Sequence, residues 1–174
     1  MKKAYLGIDT SCYTTSVAAV LQDGEHIIDH RTPIPVVEGM VGIRQQEAVF
    51  LHIKALPKLI GRTMEDLRRL GVDTIAGVGC SIAPTTQEGS YMPVFVPGRS
   101  MAESLASAFD CRCLQFSHQQ GHVKAAEFGK SDLPENYLAL HVSGGTTEIL
   151  KVEKAGYRIE TIGGTRDISA GQTI

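Results

Sequence analysis

The chain has 174 residues, a formal net charge of −2 and 43% hydrophobic residues. That length is sufficient for one domain with a buried core. Because the net charge is close to zero and slightly negative, overall electrostatic attraction cannot bind this chain to nucleic acid or to an anionic membrane. A nucleic-acid site must therefore be a local patch or be supplied by a partner.

The N-terminus and the cysteines both indicate a cytoplasmic protein. The chain reaches Asp9 too soon for a signal peptide, and no apolar run approaches the length of a membrane span. We therefore expect no association with a membrane. The four cysteines are scattered and are typical of reduced thiols rather than a disulfide framework: Cys12, Cys80, Cys111 and Cys113.

The first seventy residues predict a strand meander and then helices. Three strands are predicted, with a hairpin turn at Asp23-Gly24 before the third: 4–9, 14–21 and one starting at Ile27. A loop follows, marked by Pro33, Pro35 and Gly39. Helical periodicity then covers 44–60, and Pro57 either splits this helix or opens a second turn. A second helix is predicted at Met64–Leu70.

The middle of the chain alternates single strands and helices. A strand at 74–82, an irregular loop at 83–98, a helix over Ser100–Phe109 and a strand at 114–116 are predicted. Ser117 is the predicted N-cap of the next helix. After a connector at 130–135, three more strands are predicted: Tyr137–Val142, Thr147–Val152 and Tyr157–Ile162.

The order of predicted elements in residues 4–30 is therefore repeated in 137–162: strand, Ser/Thr/Gly turn, strand, turn, strand. Two such meanders, separated by helices and single strands, predict an α/β protein with duplicated ribonuclease-H-like halves. The two polar turns would then face a shared nucleotide and hold its phosphates.

Two histidines four residues apart, His118 and His122, form the first candidate site. On a helix this spacing places both imidazoles on one face, within reach of a single metal ion. The alternative is a pair that only caps or packs. Two ligands cannot close a tetrahedral shell, and His141 is the candidate third ligand. For His141, a half-buried strand residue with a hydrogen bond is an equal alternative.

The turn Ser143-Gly144-Gly145-Thr146-Thr147 is the second candidate site. It follows an apolar strand, and small residues there leave backbone that can wrap a phosphate. An ordinary hairpin turn is the alternative, because Gly-Gly is common in hairpins. At the end of the first strand, Ser11 is a candidate phosphate contact or part of an ordinary Ser/Thr turn, and Asp9 is a candidate cap of that turn.

Five motifs occur in order along the chain: Gly7-Ile8-Asp9-Thr10-Ser11-Cys12, Ser100–Ala106, His118-x-x-Gly121-His122, Val142-Ser143-Gly144-Gly145-x-Thr147 and Asp167-Ile168-x-Ala170-Gly171. Together they resemble the tRNA threonylcarbamoyladenosine synthase subunit family, also called glycoprotease or O-sialoglycoprotein endopeptidase. The resemblance covers essentially the whole chain. It implies the fold shared by actin, heat-shock chaperones and sugar kinases, with a first lobe at 1–129 and the start of a second at 130–174.

The resemblance also implies an activity and its ligands. A threonylcarbamoyl group would pass from threonylcarbamoyl-adenylate to the exocyclic amine of an adenine in tRNA. One divalent metal, iron or zinc, would be bound by His118 and His122, and His141 stands where some members place a tyrosine ligand. ATP or the adenylate would be held by a set of small and polar residues: Asp9, Ser11, His141, Val142, Ser143, Gly144, Gly145, Thr146 and Asp167. The resemblance implies that the position of Asp9 can hold a phosphate or a metal-bound water.

Several positions depart from the family pattern. Tyr13-Thr14 replaces an acidic pair, Gln120 replaces a glutamate, and Thr146 replaces a histidine or asparagine. The family chain is also considerably longer, and we expect the 174-residue piece alone to be inactive.

These departures favour an alternative, a non-catalytic paralogue that acts as a scaffold of the tRNA-modifying complex. It would pair with a paralogous subunit or with itself through the actin-like lobe. The metallopeptidase of the older family name is a third alternative. It lacks a His-Glu-x-x-His helix, since Gln120 stands where a general base would be useful.

Overall fold

The computed structural model describes residues 1–11, 13–35 and 43–173. It divides into two compact units, Met1–Gln119 and Gln120–Ile174. Cys12 and the predicted loop marker Gly39 lie outside the described residues. The lobe boundary expected between 129 and 130 stays a prediction. Within the described part of the chain, no helix is long and apolar enough to cross a membrane.

The first unit is built on a five-stranded mixed sheet. Its strands are β1 (Lys3–Asp9), β2 (Thr14–Leu21), β3 (Ile27–Pro33), β4 (Thr74–Ala83) and β5 (Arg112–Ser117). The strand order is β3-β2-β1-β4-β5, with an antiparallel meander on one side of β1 and parallel pairing to β4 and β5 on the other. The predicted meander is thus confirmed, with Gly24 in the left-handed region at φ 76° in its second turn.

The predicted helix pair at 44–60 and 64–70 is instead one helix, α1 (Gln45–Arg69), which continues through Pro57. The proline costs a hydrogen bond to the carbonyl of Ile53. Ile53 is exposed, so water can satisfy that carbonyl. Buried residues on both sides of the proline, including Leu56 and Leu67, hold the helix against the sheet. This packing outweighs the local helix-breaking signal.

The second helix, α2 (Phe95–Ala108), begins five residues earlier than the predicted Ser100. Pro97 lies in its first turn, where the missing N–H has no partner within the helix in any case. The last four residues of the predicted loop at 83–98 therefore belong to the start of this helix. A third helix, α3 (His118–Glu127), follows β5 without a linking residue.

Helices α1 and α2 contribute to the apolar core of the first unit. The face of the sheet in this core carries alternate residues of the strands, including Leu6 and Ile8 of β1 and Val17 of β2. A buried hydrogen bond of 2.8 Å joins the Thr15 hydroxyl to Nδ1 of His52, which fixes α1 against β2.

The second unit contains a three-stranded antiparallel sheet, as predicted. Its strands are β6 (Asn136–Val142), β7 (Thr147–Glu153) and β8 (Arg158–Gly164), in that order. Leu150, Val152 and Ile159 pack with Val123 of α3 on one face. Three of the exposed positions of β6 are apolar: Leu138, Leu140 and Val142. A short 3-10 helix at Ala170–Gln172 ends the described chain.

Candidate functional site

The carboxyl ends of β1 and β5 bring Asp9 and His118 together, although 109 residues separate them in the chain. Both strands run parallel to β4, so their ends lie at one edge of the sheet, where α/β proteins commonly place ligands. The distance from His118 Nδ1 to Asp9 Oδ2 is 2.7 Å. The ring of Phe95 lies 6.3 Å from that of His118, centre to centre.

Asp9 accepts two further hydrogen bonds. Its Oδ1 accepts the backbone N–H of Ser11 at 2.6 Å, and its Oδ2 accepts the Ser81 hydroxyl at 3.3 Å. Burial alone would raise the pKa of Asp9, but its interactions with His118 and Ser11 outweigh this effect, and the pKa is lowered. Asp9 is therefore an ionised acceptor at neutral pH, and His118 Nδ1 is the donor of this hydrogen bond, because a carboxylate can only accept. The turn-cap role expected of Asp9 is present together with this contact.

His122 and His141 meet in the second unit. Their ring centres are 5.3 Å apart, with the planes inclined by 37°. Two imidazoles bound to one tetrahedral ion at about 2 Å place their ring centres about 5 Å apart. The Nδ1 atom of His141 is buried and makes no hydrogen bond to the described residues. It lies 3.5 Å from Oε2 of Glu148, which faces His141 across β6 and β7.

The donor chemistry of these histidines suits iron or zinc, which both accept neutral imidazoles. The buried His141 Nδ1 without a hydrogen bond supports this fit, because such an atom ordinarily has a partner. Within the ranges 1–11, 13–35 and 43–173, however, no three His, Cys, Asp or Glu side chains are already arranged around a common metal position. A bound ion would need a rearrangement of these side chains or a further ligand.

The turn between β6 and β7 is closed by Ser143. Its hydroxyl oxygen accepts the backbone N–H groups of Gly145 at 3.3 Å and Thr146 at 3.0 Å. Its own N–H donates to the Thr146 carbonyl at 2.8 Å. The amides that would contact a phosphate are thus directed at the Ser143 oxygen, which occupies the kind of position a phosphate oxygen would take.

The last motif packs on this turn. The Ser169 hydroxyl donates to the Gly144 carbonyl, and the Ala170 N–H donates to Thr147 Oγ1, both at 2.7 Å. A Cβ at Gly171 would lie 2.5 Å from the Ser143 carbonyl oxygen, so only glycine permits the approach. Asp167 is exposed, and its N–H donates to Thr165 Oγ1 at 3.4 Å. The structure therefore joins two of the predicted phosphate-site motifs.

Gln120, at the position where the family pattern has an acid, holds α3 to the turn before β8. Its side-chain amide donates to the carbonyl of Tyr157 at 2.9 Å. Tyr157 has a positive φ of 48°, an uncommon backbone conformation for a residue with a side chain. An amide in this position serves a structural contact and has no basicity for proton abstraction.

Sequence reasoning missed Ser81 and Glu148 as members of these sites, and it did not foresee the structural contact of Gln120 with Tyr157. The pairing of Glu148 with His141 could have been predicted from the sequence. A hairpin with its turn at residues 143–146 places 141 opposite 148. No sequence pattern indicates the contacts of Ser81 and Gln120, because these contacts join elements that are distant in the chain.

Comparison with solved structures identifies the fold. The chain is similar to YeaZ from Pseudomonas aeruginosa, with a TM-score of 0.53 and 16% identity over 92% of this chain and 65% of that one. A ROK family transcriptional regulator, a homologue of the E. coli MLC protein, gives a TM-score of 0.56 and 13% identity over 93% and 40%. These likenesses confirm the predicted actin-like α/β fold.

Sequence comparison identifies the family. The family tRNA N6-adenosine threonylcarbamoyltransferase, or TsaD, matches residues 5–174. Relatives of that name from Trichormus variabilis and Thermus thermophilus are each 32% identical, over 96% of this chain and 46% or 49% of their own length. The chain spans about half the length of the curated relatives it matches. It belongs to the TsaD family of tRNA N6-adenosine threonylcarbamoyltransferases.

Proposed function

We propose that this chain supplies metal-binding histidines and a phosphate-binding turn to an enzyme of tRNA modification. That enzyme would transfer a threonylcarbamoyl group from threonylcarbamoyl-adenylate to the exocyclic amine of an adenine in tRNA. The observation that carries the proposal is the family match over residues 5–174, which includes every motif of both candidate sites.

The proposed metal is one divalent iron or zinc ion, with His118, His122 and His141 as its protein ligands. Within α3, the spacing of four residues places His118 and His122 on the same helix face. The 5.3 Å separation of the His122 and His141 rings supports a shared ion. Such an ion would polarise the carbamoyl carbonyl or hold the threonyl carboxylate.

The proposed nucleotide is ATP or threonylcarbamoyl-adenylate. The N–H groups of Gly145 and Thr146 would bind a phosphate oxygen once the Ser143 hydroxyl rotates away from them. The contacts from Ser169 and Ala170 hold the turn in place for this role. Backbone amides suit a phosphate because they present positive partial charge without a side chain that must be ordered.

The tRNA and any protein partner must be recognised locally, since the chain as a whole has a formal charge of −2. On α1, Phe50 and Ile53 are 59% and 54% exposed and lie three residues apart on one side of the helix. This apolar pair supports association through the first unit, with a paralogous subunit or with a second copy. It is also the observation that favours the scaffold alternative.

The test of the enzyme proposal compares His118→Ala with His26→Ala in the complete gene product. His26 is an exposed histidine bonded to Asp23 and serves as the matched control. With threonylcarbamoyl-adenylate, tRNA and the partner subunit present, modified adenosine is quantified by mass spectrometry of digested tRNA. We expect His118→Ala to lose bound metal and at least about 100-fold in rate, as for removal of a direct metal ligand. Unchanged rate and metal content in that variant would contradict the proposal.

The same preparations decide between enzyme and scaffold. Stoichiometric metal together with nucleotide binding by calorimetry supports the enzyme. A protein that binds neither, yet forms a stable dimer that Phe50→Asp disrupts, supports the scaffold. The equivalent change at an exposed polar site on the same helix, Gln46→Asp, is the control.

A further inference from the structure

The side chain of Asp9 connects three elements. It receives hydrogen bonds from Ser11 after β1, from Ser81 in β4 and from His118 at the start of α3. The shortest side-chain contact is the one to His118 Nδ1, at 2.7 Å. An ionised carboxylate can only accept hydrogen bonds, so the arrangement requires a proton on that nitrogen.

We infer that Asp9 is a positioning residue that fixes His118 as the tautomer protonated on Nδ1, so that Nε2 carries the lone pair offered to a ligand. The ligand class is a divalent transition metal, and only this part rests on the proposed function. A carboxylate behind the imidazole also raises the basicity of the coordinating nitrogen. The role is additional to the phosphate or water contact expected at Asp9 from the sequence.

The surroundings support a positional role. Side-chain exposure is 30% for His118 and 29% for Asp9, so the pair is largely shielded from competing water. Phe95 flanks the imidazole ring, and α3 begins at His118 itself, so the backbone that carries the ring is at the end of β5. Ring rotation by about 180° would exchange Nδ1 for a C–H and lose the hydrogen bond to Asp9.

The first measurement needs no metal. In the metal-free chain labelled with ¹⁵N, the two imidazole nitrogens of His118 are assigned by NMR at a pH where the ring is neutral. We expect a protonated Nδ1 and an unprotonated Nε2 in the wild type. In Asp9→Asn, whose amide can donate as well as accept, we expect a mixed population with at least about one third of the other tautomer. A wild-type ring protonated on Nε2, or an Asp9→Asn ring unchanged from wild type, would overturn the inference.

The second measurement uses Zn²⁺ alone, by chelator competition in the complete gene product. We expect Asp9→Asn to bind Zn²⁺ about 10- to 100-fold more weakly, with partial recovery in Asp9→Glu. The matched control is Asp29→Asn, which makes the same chemical change in β3 of the same sheet, where the carboxylate bonds only to Arg31 among the described residues. Equal affinity in Asp9→Asn and Asp29→Asn would overturn the metal part of the inference.

The two measurements separate this inference from the proposed function. If the wild type binds no Zn²⁺, the metal proposal fails, and the tautomer of His118 still decides the role of Asp9. If Asp9→Asn does not fold, the wild-type NMR measurement and Asp9→Glu remain decisive. An Asp9→Glu protein with the wild-type tautomer supports positioning, and one with the opposite tautomer and unchanged affinity contradicts it.

Discussion

Thr10 and Gly98 are in direct contact where the start of α2 lies beside the end of β1. The Thr10 hydroxyl donates to the Val94 carbonyl at 2.6 Å and accepts the Gly98 N–H at 3.3 Å. A Cβ at Gly98 would lie 2.7 Å from Thr10 Oγ1 and 3.2 Å from Cγ2. The glycine therefore sets how closely α2 approaches the strand that ends in Asp9.

The first prediction compares two helical glycines. Gly98→Ala should destabilise the chain by about 1–3 kcal/mol, because the added methyl group overpacks a buried contact. Gly61→Ala, in the interior of α1 with no neighbouring atom within 4 Å, should stabilise it by about 0.5–1 kcal/mol. Urea unfolding measures both. Changes of the same sign in the two variants would show that the contact with Thr10 does not limit α2.

The second prediction concerns Gln120. In Gln120→Glu an ionised carboxylate would face the Tyr157 carbonyl, so a hydrogen bond becomes a repulsion. We expect a loss of about 1–3 kcal/mol in the free energy of unfolding of the second unit. The control is Gln87→Glu, a side chain in the exposed loop after β4. If the glutamate that the family pattern favours at 120 leaves stability unaltered, the Tyr157 contact has no energetic weight.

The third prediction concerns Gly171. An alanine there would collide with backbone atoms of Ser143 and Gly144, at 2.5 Å and 2.8 Å. The segment 165–173 should detach from the turn, with loss of the Ser169 and Ala170 hydrogen bonds and about 1–3 kcal/mol of local stability. Amide hydrogen exchange at Ala170 would report this as faster exchange. Gly144→Ala, where the added Cβ meets no atom within 4 Å, should retain slow exchange at Ala170.

Glu127 leads to a prediction about pH. It is buried and accepts hydrogen bonds from Lys124 at 2.7 Å and Tyr137 at 2.5 Å. Burial alone would raise the pKa of Glu127, but these hydrogen bonds outweigh it, and the pKa is lowered. A carboxyl group with a lower pKa in the folded chain adds stability that is complete above its unfolded pKa, about 4.3. This stability is lost as the pH falls through the folded value.

The free energy of unfolding should therefore fall in acid, and the fall should be smaller in Glu127→Gln. Urea unfolding at a series of pH values from neutral to acid measures this dependence. Glu160→Gln, an exposed carboxylate on β8, is the control and should keep the wild-type slope. The reasoning fails if the two variants lose the same amount of pH dependence.

Local patterns in the sequence predicted much of the fold. The apolar runs of β1 and β2 and the Asp23-Gly24 turn predicted the first meander, and the Ser-Gly-Gly turn predicted the hairpin of β6 and β7. These features depend on neighbours in the chain, where period and turn chemistry are visible. The prediction failed at Pro57 and at the start of α2, because a proline lowers helix propensity locally while burial on the sheet stabilises the helix.

The candidate site was predicted in part. The motif spacings marked His118, His122, His141 and the turn at Ser143 as candidates, and the structure brings His122 and His141 within 5.3 Å. The contact between Asp9 and His118 has no such signal, since it arises from strand order across 109 residues. Whether these residues bind metal and nucleotide stays a prediction.

The direct passage from β5 to α3 limits how this region can change in evolution. The strand ends at Ser117 and the helix starts at His118, with no residue between them to absorb a change of length. One inserted residue would move His118 by up to about 3.8 Å, more than a hydrogen bond to Asp9 tolerates. Insertions and deletions in functional homologues should therefore avoid this junction, whereas the irregular loop between β4 and α2 should accept them.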